Sequence, residues 1–211
     1  MGIRCELVAV KSIKQIQDVI TSKNAELLED FLREEEAESR KTFSEPMDDI
    51  DLEEFNELLA DKREQFSRFL ISDDPAYEEP GSTIFFIDYV ISRYDLEIEV
   101  NLEFNVGYDP TVWSAYQNLI SKLVRADAHE LIGHLEARPF RGAVVEFDGS
   151  IYGWLTNTEL SKLLNALGEL KANEMARQVL ETSDLAIFHE ALVSALATCK
   201  QLGCDMIVKA S

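Results

Sequence analysis

The stretch IRCELVAVKSIKQIQDVI, residues 3–20, sets the first two elements of the chain and their order. Its first half alternates apolar and polar side chains well enough to predict a strand over residues 3–10. Ser12 and Gln15 then have the spacing of a capping box, in which two side chains satisfy backbone N–H groups at a helix start. The chain is therefore predicted to open with a strand that leads directly into a helix.

The other end of the chain predicts the opposite order. LAIFHEALVSALATCKQL, residues 185–202, is typical of a buried helix, and Gly203 follows it where a helix stop is expected. CDMIVKA, residues 204–210, then closes the chain as a short apolar strand. Both ends are thus expected to contribute strands to one sheet.

The middle of the chain adds further strands. LEIEVNLEF, residues 96–104, alternates strictly, which predicts a strand with one buried face and one face of glutamates. RGAVVEFDGSIYGWL, residues 141–155, holds two short extended pieces around a hairpin-type Asp148-Gly149 turn. We predict a single α+β domain over residues 1–211, in which roughly seven helices cover a small mixed sheet. Its strands are expected near residues 3–10, 96–104, 143–147 and 204–208.

Helix signals fill the remaining sequence. AELLEDFLREEEAESR, residues 25–40, has an apolar face, and the loop around Pro46 separates it from a second amphipathic helix that Asp51 can cap. Further starts are predicted at TIFFIDYVISRYDL (residues 83–96), at Asp109-Pro110, at the Thr156/Glu159 capping box, and at NEMARQVLE (residues 173–181).

The strongest departure from an ordinary composition is the charge. The chain carries a formal net charge of -20, and residues 26–64 hold sixteen Asp and Glu residues against five Lys and Arg residues. Such a surface repels nucleic-acid phosphates and anionic lipid headgroups, whereas it attracts basic protein surfaces. We therefore expect no direct nucleic-acid binding, no membrane binding and a basic protein partner.

The acidic helical segment at about residues 26–70 is the candidate interaction face. Runs of charge are usually solvated surface, but their density here favours association with an oppositely charged partner. The stretch DDIDLEEFNELL, residues 48–59, lacks the central glycine and ligand order of a helix–loop–helix calcium site. The candidate face comprises Glu34, Glu35, Glu36, Asp48, Asp49, Asp51, Glu53 and Glu54.

The sequence ADAHELIGHLEA, residues 126–137, raises the question of a zinc hydrolase helix. Zinc hydrolases use histidines four residues apart, whereas His129 and His134 are five apart and would lie about 140 degrees apart around a helix. Neither a nucleophile elbow nor a glycine-rich phosphate loop is present. We therefore expect no metal site, no cofactor and no catalytic residue. The cysteines Cys5, Cys199 and Cys204 are expected to be reduced thiols in the core.

An alternative interpretation is a small hydrolase or a ligand-binding domain. Tyr152 and Trp154 flank Gly153 just before a capped helix, so they either line a cleft or pack the helix onto the sheet. A cleft would need polar groups beside these rings. The candidate cleft residues are His129, Glu130, Tyr152, Trp154 and His189.

Three stretches carry a family resemblance. MGIRCELVAVKSIKQIQDVI (residues 1–20) combines a Met-Gly start, a strand and a Ser-x-Lys helix, and ALATCKQLGCDMIVKA (residues 195–210) combines a last helix, a glycine and a terminal strand. Together these ends resemble the YfbM-like bacterial proteins of unknown function. YGWLTNTEL, residues 152–160, is similar to a helix start in related uncharacterised bacterial proteins. The resemblance implies an α+β fold in a bacterial cytoplasm. The acidic segment departs from it, and it implies no catalytic residue.

These observations together favour a cytoplasmic, non-catalytic interaction module. No apolar run approaches the roughly 20 residues of a membrane-spanning helix, and no basic-then-apolar leader is present. We expect the chain to bind a basic partner in a regulatory or immunity-like role, for example by neutralising a toxin or a nucleic-acid-binding enzyme.

Overall fold

The structure is a computed structural model that describes most of the chain. The described ranges are residues 3–22, 24–42, 49–71, 78–79, 83–102, 107–108, 110–123, 126–141, 143–144, 151–170, 173–181 and 185–210. The strands within them are β1 (Ile3–Val10), β2 (Glu78–Glu79), β3 (Gly107–Tyr108), β4 (Ala143–Val144), β5 (Ile151–Leu155) and β6 (Asp205–Ala210). The helices are α1 (Ile13–Thr21), α2 (Ala25–Thr42), α3 (Asp49–Ile71), α4 (Thr83–Arg93), α5 (Pro110–Leu123), α6 (Ala126–Glu136), α7 (Asn157–Leu170), α8 (Glu174–Glu181) and α9 (Leu185–Leu202).

The two ends of the chain form the centre of the main sheet. Its strand order is β3-β1-β6-β5, and every pairing in it is antiparallel. β1 and β6 pair from Cys5 opposite Ala210 to Val10 opposite Asp205. A separate parallel pair joins β2 to β4. The predicted α+β class is confirmed, and parallel and antiparallel pairing both occur, although in different sheets.

Helices cover both faces of the main sheet because its central strands are apolar on both sides. Along β1, Cys5, Leu7 and Ala9 are buried in the first core, whereas Val8 and Val10 are buried in the second. This alternation follows from the two-residue period of a strand. The first core contains buried side chains of α5, α6, α7, α8 and α9, and the second contains those of α1, α2, α3 and α4.

Several predicted boundaries needed correction. Residues 96–102 are extended with Leu96 and Leu102 buried, but they join β1 only through a bridge between Val10 and Glu97. Hydrogen bonds outside regular strands, such as Ile98 N–H to the Ala9 carbonyl at 2.9 Å, hold this stretch against the end of β1. The predicted positions 103–104 and 145–147 lie outside the described residues.

Helix starts and ends also differ in places from the prediction. α3 begins at Asp49, so Asp51 lies inside the helix and not before it. α4 ends at Arg93, because Asp95 adopts a left-handed backbone with φ of 50° that a helix cannot continue. The described ranges contain nine helices where roughly seven were expected. None of these helices combines the length and apolar character that a membrane crossing requires.

The side chain of Asp205 joins two helices that belong to different cores. One carboxylate oxygen accepts a hydrogen bond from the Ile13 N–H of α1, and the other accepts one from the Asn157 N–H of α7, both at 2.6 Å. Each donor is the first residue of its helix, where backbone N–H groups lack partners within the helix. A negative charge at a helix N-terminus also interacts favourably with the helix dipole. Asp205 therefore stabilises both helix starts at once.

A glycine sets the distance between α6 and β5. A Cβ atom on Gly153 would collide with the His134 carbonyl oxygen and would lie 2.7 Å from the Leu135 carbonyl carbon. These are backbone atoms, which cannot rotate away as a side chain could. Gly153 is thus required for the close approach of α6 to β5.

We predict that Asp205→Asn lowers the free energy of unfolding by about 2 kcal/mol, because an amide has one accepting oxygen where the carboxylate uses two. Chemical denaturation with a circular-dichroism readout measures the effect. Asp18→Asn is the matched control, since Asp18 pairs with Lys14 on the exposed face of α1, and it should change stability by less than about 0.5 kcal/mol. Equal effects of the two substitutions would contradict the capping role.

We predict opposite effects for alanine at two glycines. Gly153→Ala should destabilise the chain by roughly 1–3 kcal/mol, because the backbone of α6 must move away from β5. Gly168→Ala should stabilise it by up to about 1 kcal/mol, because Gly168 lies in α7 with no atom within 4 Å of its added Cβ. Thermal unfolding of the two variants measures both signs, and a neutral Gly153→Ala would refute the close contact.

Candidate functional site

The acidic segment folds as an antiparallel pair of helices, α2 and α3. Apolar side chains on their facing sides hold them together and hold them on the second core. Phe31 of α2 packs edge-on against Phe66 of α3, with ring centroids 4.9 Å apart, and against Phe86 of α4 at 5.1 Å. Most carboxylates of the segment are consequently on the remaining, outer surface of this helical pair.

The basic residues of the helical pair form ion pairs with carboxylates of the same two helices. Lys62 of α3 contacts Glu35 of α2 at 2.9 Å, and the two side chains are only 26% and 30% exposed. The Arg40 guanidinium pairs with Glu36 at 2.8 Å and also lies over the Phe55 ring. Further pairs of the segment join Arg33 to Asp30, Lys41 to Glu38, Arg63 to Glu29, and Arg68 to Glu64. All five basic residues of positions 26–64 are therefore engaged by neighbouring carboxylates.

Three exposed carboxylates form a row along α3. Glu53, Glu57 and Asp61 are exposed and follow one another at four-residue spacing, which places them in a row along one side of the helix. Within the part of the chain that the structure describes, none of the three forms an ion pair. We call Glu53, Glu57 and Asp61 the acidic stripe. Leu58, beside it, is 51% exposed.

The structure divides the predicted interaction face into different groups. Glu35 and Glu36 are half-buried and paired, so they contribute to the packing of α2 and α3. Glu34 and Glu54 are exposed near them. Asp48 lies outside the described residues. Asp49 and Asp51 belong to the first turn of α3, and their side chains are not among those described.

Two members of the acidic stripe escaped the sequence analysis. Glu57 and Asp61 do not stand in a run of acidic residues, so a search for dense charge passes over them. The signal that could have found them is the i, i+4, i+8 spacing with Glu53 on a helix whose buried positions are already assigned. The spacing identifies the stripe only once the helix is known.

A groove between α2 and α3 carries both signs of charge. Its volume is about 220 Å³, and its ionic lining is balanced between arginine and glutamate. Balanced lining gives little selectivity for a partner of one charge. The groove is lined by Glu29, Leu32, Arg33, Glu36, Leu59 and Arg63.

The five candidate cleft residues are not brought together. Tyr152 and Trp154 are buried in the second core, where both rings pack near Phe140. His189 is 3% exposed and contacts Tyr116 of the first core, on the other face of the sheet. His129 and Glu130 are exposed on α6. The two rings therefore pack the sheet against the elements of the second core. The capped helix α7 has its buried side chains in the first core, so the rings do not pack that helix onto the sheet as the sequence suggested.

His189 forms a buried polar pair with Tyr116. The Tyr116 hydroxyl lies 2.7 Å from His189 Nδ1 and joins α5 to α9 inside the first core. Burial raises the pKa of Tyr116, so its hydroxyl stays protonated at neutral pH and can donate to the imidazole. This pair satisfies polar groups in an apolar interior, as buried hydroxyl and imidazole groups require.

Arg138 connects the end of α6 to β5 and α7. Its guanidinium lies 3.5 Å from the Trp154 ring centroid and donates to Glu159 Oε2 at 2.9 Å. The same Glu159 oxygen accepts from the Thr156 N–H at 2.9 Å and from the Thr156 hydroxyl at 2.8 Å, so the Thr156/Glu159 capping interaction is present. Burial raises the pKa of Glu159, but the hydrogen bonds from Arg138 and Thr156 outweigh burial and leave that pKa below its ordinary value.

The histidines of α6 do not form a metal site in the structure. His129 is exposed, while His134 is half-buried with its Nε2 3.8 Å from Glu130. Burial, together with the nearby Arg138 charge, lowers the pKa of His134. Among the described residues, no three His, Cys, Asp or Glu side chains are grouped so that they could hold a metal ion.

Comparison with protein-family models, curated proteins and solved structures gave no match to this chain.

We predict that Glu159→Gln lowers stability at neutral pH by about 1 kcal/mol, because Arg138 loses its ionic partner. Since folding lowers the pKa of Glu159, its contribution is present above the unfolded-state pKa and is lost as pH falls through the folded-state pKa. Denaturation curves of wild type and variant should therefore converge at acid pH. Glu169→Gln, at an exposed position of the same helix, should follow the wild-type profile. Curves that stay parallel down to low pH would disprove this contribution.

Proposed function

We propose that this chain is a non-catalytic interaction module that binds a basic protein through the acidic stripe. The observation that carries the proposal is the separation of charges on the helical pair. Its basic residues are all paired internally, whereas Glu53, Glu57 and Asp61 are exposed and form no ion pair with any described residue. The surplus charge is thus directed outward, where a partner can reach it.

Electrostatics supports a basic protein over the other partner classes. The formal charge of -20 opposes the approach of nucleic acids and anionic lipids. The same charge accelerates encounter with a cationic protein and favours its correct orientation. A partner that presents lysine or arginine side chains along a surface as long as the stripe would meet three carboxylates at once.

The biological role and location form part of the same proposal. A basic toxin or a nucleic-acid-binding enzyme would be neutralised if the stripe covered its cationic surface, which is a regulatory or immunity-like role. The likeness of the chain ends to YfbM-like bacterial proteins supports a bacterial cytoplasmic setting and supplies no catalytic residue. No observation on the described residues favours the hydrolase or ligand-binding alternative, because its candidate residues lie on different faces of the sheet.

The paired glutamates are unsuitable for testing the proposal. Reversing Glu35 would place a positive charge beside Lys62, and reversing Glu36 would do so beside Arg40. A loss of binding in those variants could therefore result either from lost partner contacts or from damaged packing of α2 on α3. The acidic stripe avoids this difficulty.

We predict that reversing the stripe abolishes partner binding without unfolding the chain. The immobilised wild-type chain should retain basic proteins from a native host extract at low salt and release part of them at moderate salt, because screening weakens exposed charge interactions. The triple variant Glu53→Lys, Glu57→Lys, Asp61→Lys should lose those proteins, with an affinity at least about 10-fold lower for any one of them that is purified.

The matched control reverses three exposed carboxylates elsewhere: Glu99→Lys, Glu169→Lys and Glu190→Lys. Both triple variants have the same net charge, so they differ only in where the charge lies. Retention by the control and loss by the stripe variant supports the proposal. Equal loss in both would show a diffuse charge effect, and the absence of any basic partner at either salt concentration would count against an interaction module.

A further inference from the structure

The junction of α9 and β6 brings two cysteines together. α9 ends in a Schellman motif, in which the Cys204 N–H donates to the Cys199 carbonyl at 3.1 Å and the Gly203 N–H donates to the Lys200 carbonyl at 3.2 Å. Gly203 has a φ of 68°, which is the left-handed conformation that this motif requires. The backbone thus turns back on itself between Cys199 and Cys204.

This motif places the two thiols in contact range. The backbone hydrogen bond of 3.1 Å between the Cys204 N–H and the Cys199 carbonyl brings the two residues close together, and disulfides span Cα–Cα separations of roughly 4.4–6.8 Å. Side chains at these two positions of a Schellman motif commonly meet on the buried side of the turn. The Cys204 sulfur lies 3.5 Å from the Cys199 carbonyl oxygen, and both residues are buried in the first core.

We propose that Cys199 and Cys204 form a redox-sensitive latch, an intrachain disulfide that closes when the chain meets a peroxide. Both cysteines are free thiols in the structure, which is the open state of the latch. The closed state would connect the end of α9 covalently to the start of β6. No function assigned to the acidic stripe enters this inference.

The chemistry of closing is balanced by one peroxide molecule. The Cys204 sulfur, as thiolate, attacks one peroxide oxygen, the O–O bond breaks, and the departing oxygen leaves as water after taking up a proton. The Cys199 sulfur then attacks the resulting sulfenic acid, the S–O bond breaks, and a second water leaves. Two electrons pass from the two thiols to the peroxide, and the S–S bond remains.

Access and acidity set the speed of the latch. Residues 200–203, which separate the two cysteines, are all exposed, so the thiols lie directly beneath a solvent-facing turn. Burial raises the pKa of Cys199 to about 12 and also raises the pKa of Cys204. Because thiolate is the reactive form, closing requires sustained exposure to peroxide.

The latch lies beside the contacts that join the two cores. The Asn157 side-chain amide donates to the Cys204 carbonyl at 3.0 Å and to the Cys199 carbonyl at 3.4 Å. The next residue is Asp205, whose carboxylate caps α1 and α7. A covalent bond at this position would therefore restrain the region on which both helix starts depend, and the closed chain should unfold at a higher temperature.

The test uses the native full chain and hydrogen peroxide. After prolonged treatment, denaturation and alkylation, the chain should lose two hydrogen atoms and two of its three alkylatable thiols, with the disulfide mapped to Cys199 and Cys204 by mass spectrometry. Its thermal midpoint should rise by several degrees and should return to the starting value with dithiothreitol.

Three variants make the outcome decisive. Cys5→Ser removes the cysteine of β1, which pairs with the opposite end of β6, and should leave the disulfide unchanged. Cys204→Ser and Cys199→Ser, each verified as folded by circular dichroism, should abolish it. Three alkylatable thiols after treatment, a disulfide that involves Cys5, or one between two chains would overturn the pairing. A thermal midpoint that stays equal or falls on closure would overturn the stabilising latch.

Discussion

The architecture depends on one carboxylate at the start of the last strand. Asp205 accepts the first N–H of α1 with one oxygen and the first N–H of α7 with the other. Because α1 belongs to the second core and α7 to the first, both helix layers are tied to the same point of the sheet. Two positive helix ends would otherwise face each other there with unsatisfied donors. The Asp205 carboxylate accepts hydrogen bonds from both helix starts and places a negative charge beside both. The Asn157 side-chain amide and the Schellman turn form further hydrogen bonds next to it.

Charge pairing also distinguishes two groups of carboxylates in the acidic helical pair. Cations placed between α2 and α3, such as Lys62, are matched by carboxylates that face them, and this contributes to holding the helices together. The carboxylates of the acidic stripe have no such match among the described residues and are exposed to solvent. The paired carboxylates contribute to the packing of the two helices, whereas the carboxylates of the acidic stripe are exposed. Both groups consist of Asp and Glu residues. This distinction separates Glu35 from Glu53 in the proposed function.

Local sequence patterns predicted the elements well where one short-range rule dominates. Ser12 caps α1 as predicted, since its hydroxyl accepts a hydrogen bond from the Gln15 N–H at 3.3 Å. Gly203 also ends α9 as predicted. The apolar–polar alternation over residues 96–104 predicts a full strand, yet the described part of this stretch, residues 96–102, makes only a bridge to β1. An apolar–polar alternation indicates which side chains are buried, whereas strand pairing depends on whether another strand lies beside the backbone. The interaction face was predicted in part, because charge density does not reveal which carboxylates are paired.

The amino-acid sequence by itself determined the α+β class, the strands at both ends, most helix starts and the large negative charge, since each follows from neighbours within a few residues. Only the tertiary structure decided that Asp205 caps two helices, that Gly153 lets α6 approach β5, and that Tyr152 and Trp154 lie in the second core while His189 contacts Tyr116 of the first. Those facts join residues far apart in the chain, and their energies depend on distances that no local pattern contains. Short-range sequence patterns therefore determine the secondary-structure elements, whereas the contacts between these elements depend on residues that are far apart in the chain.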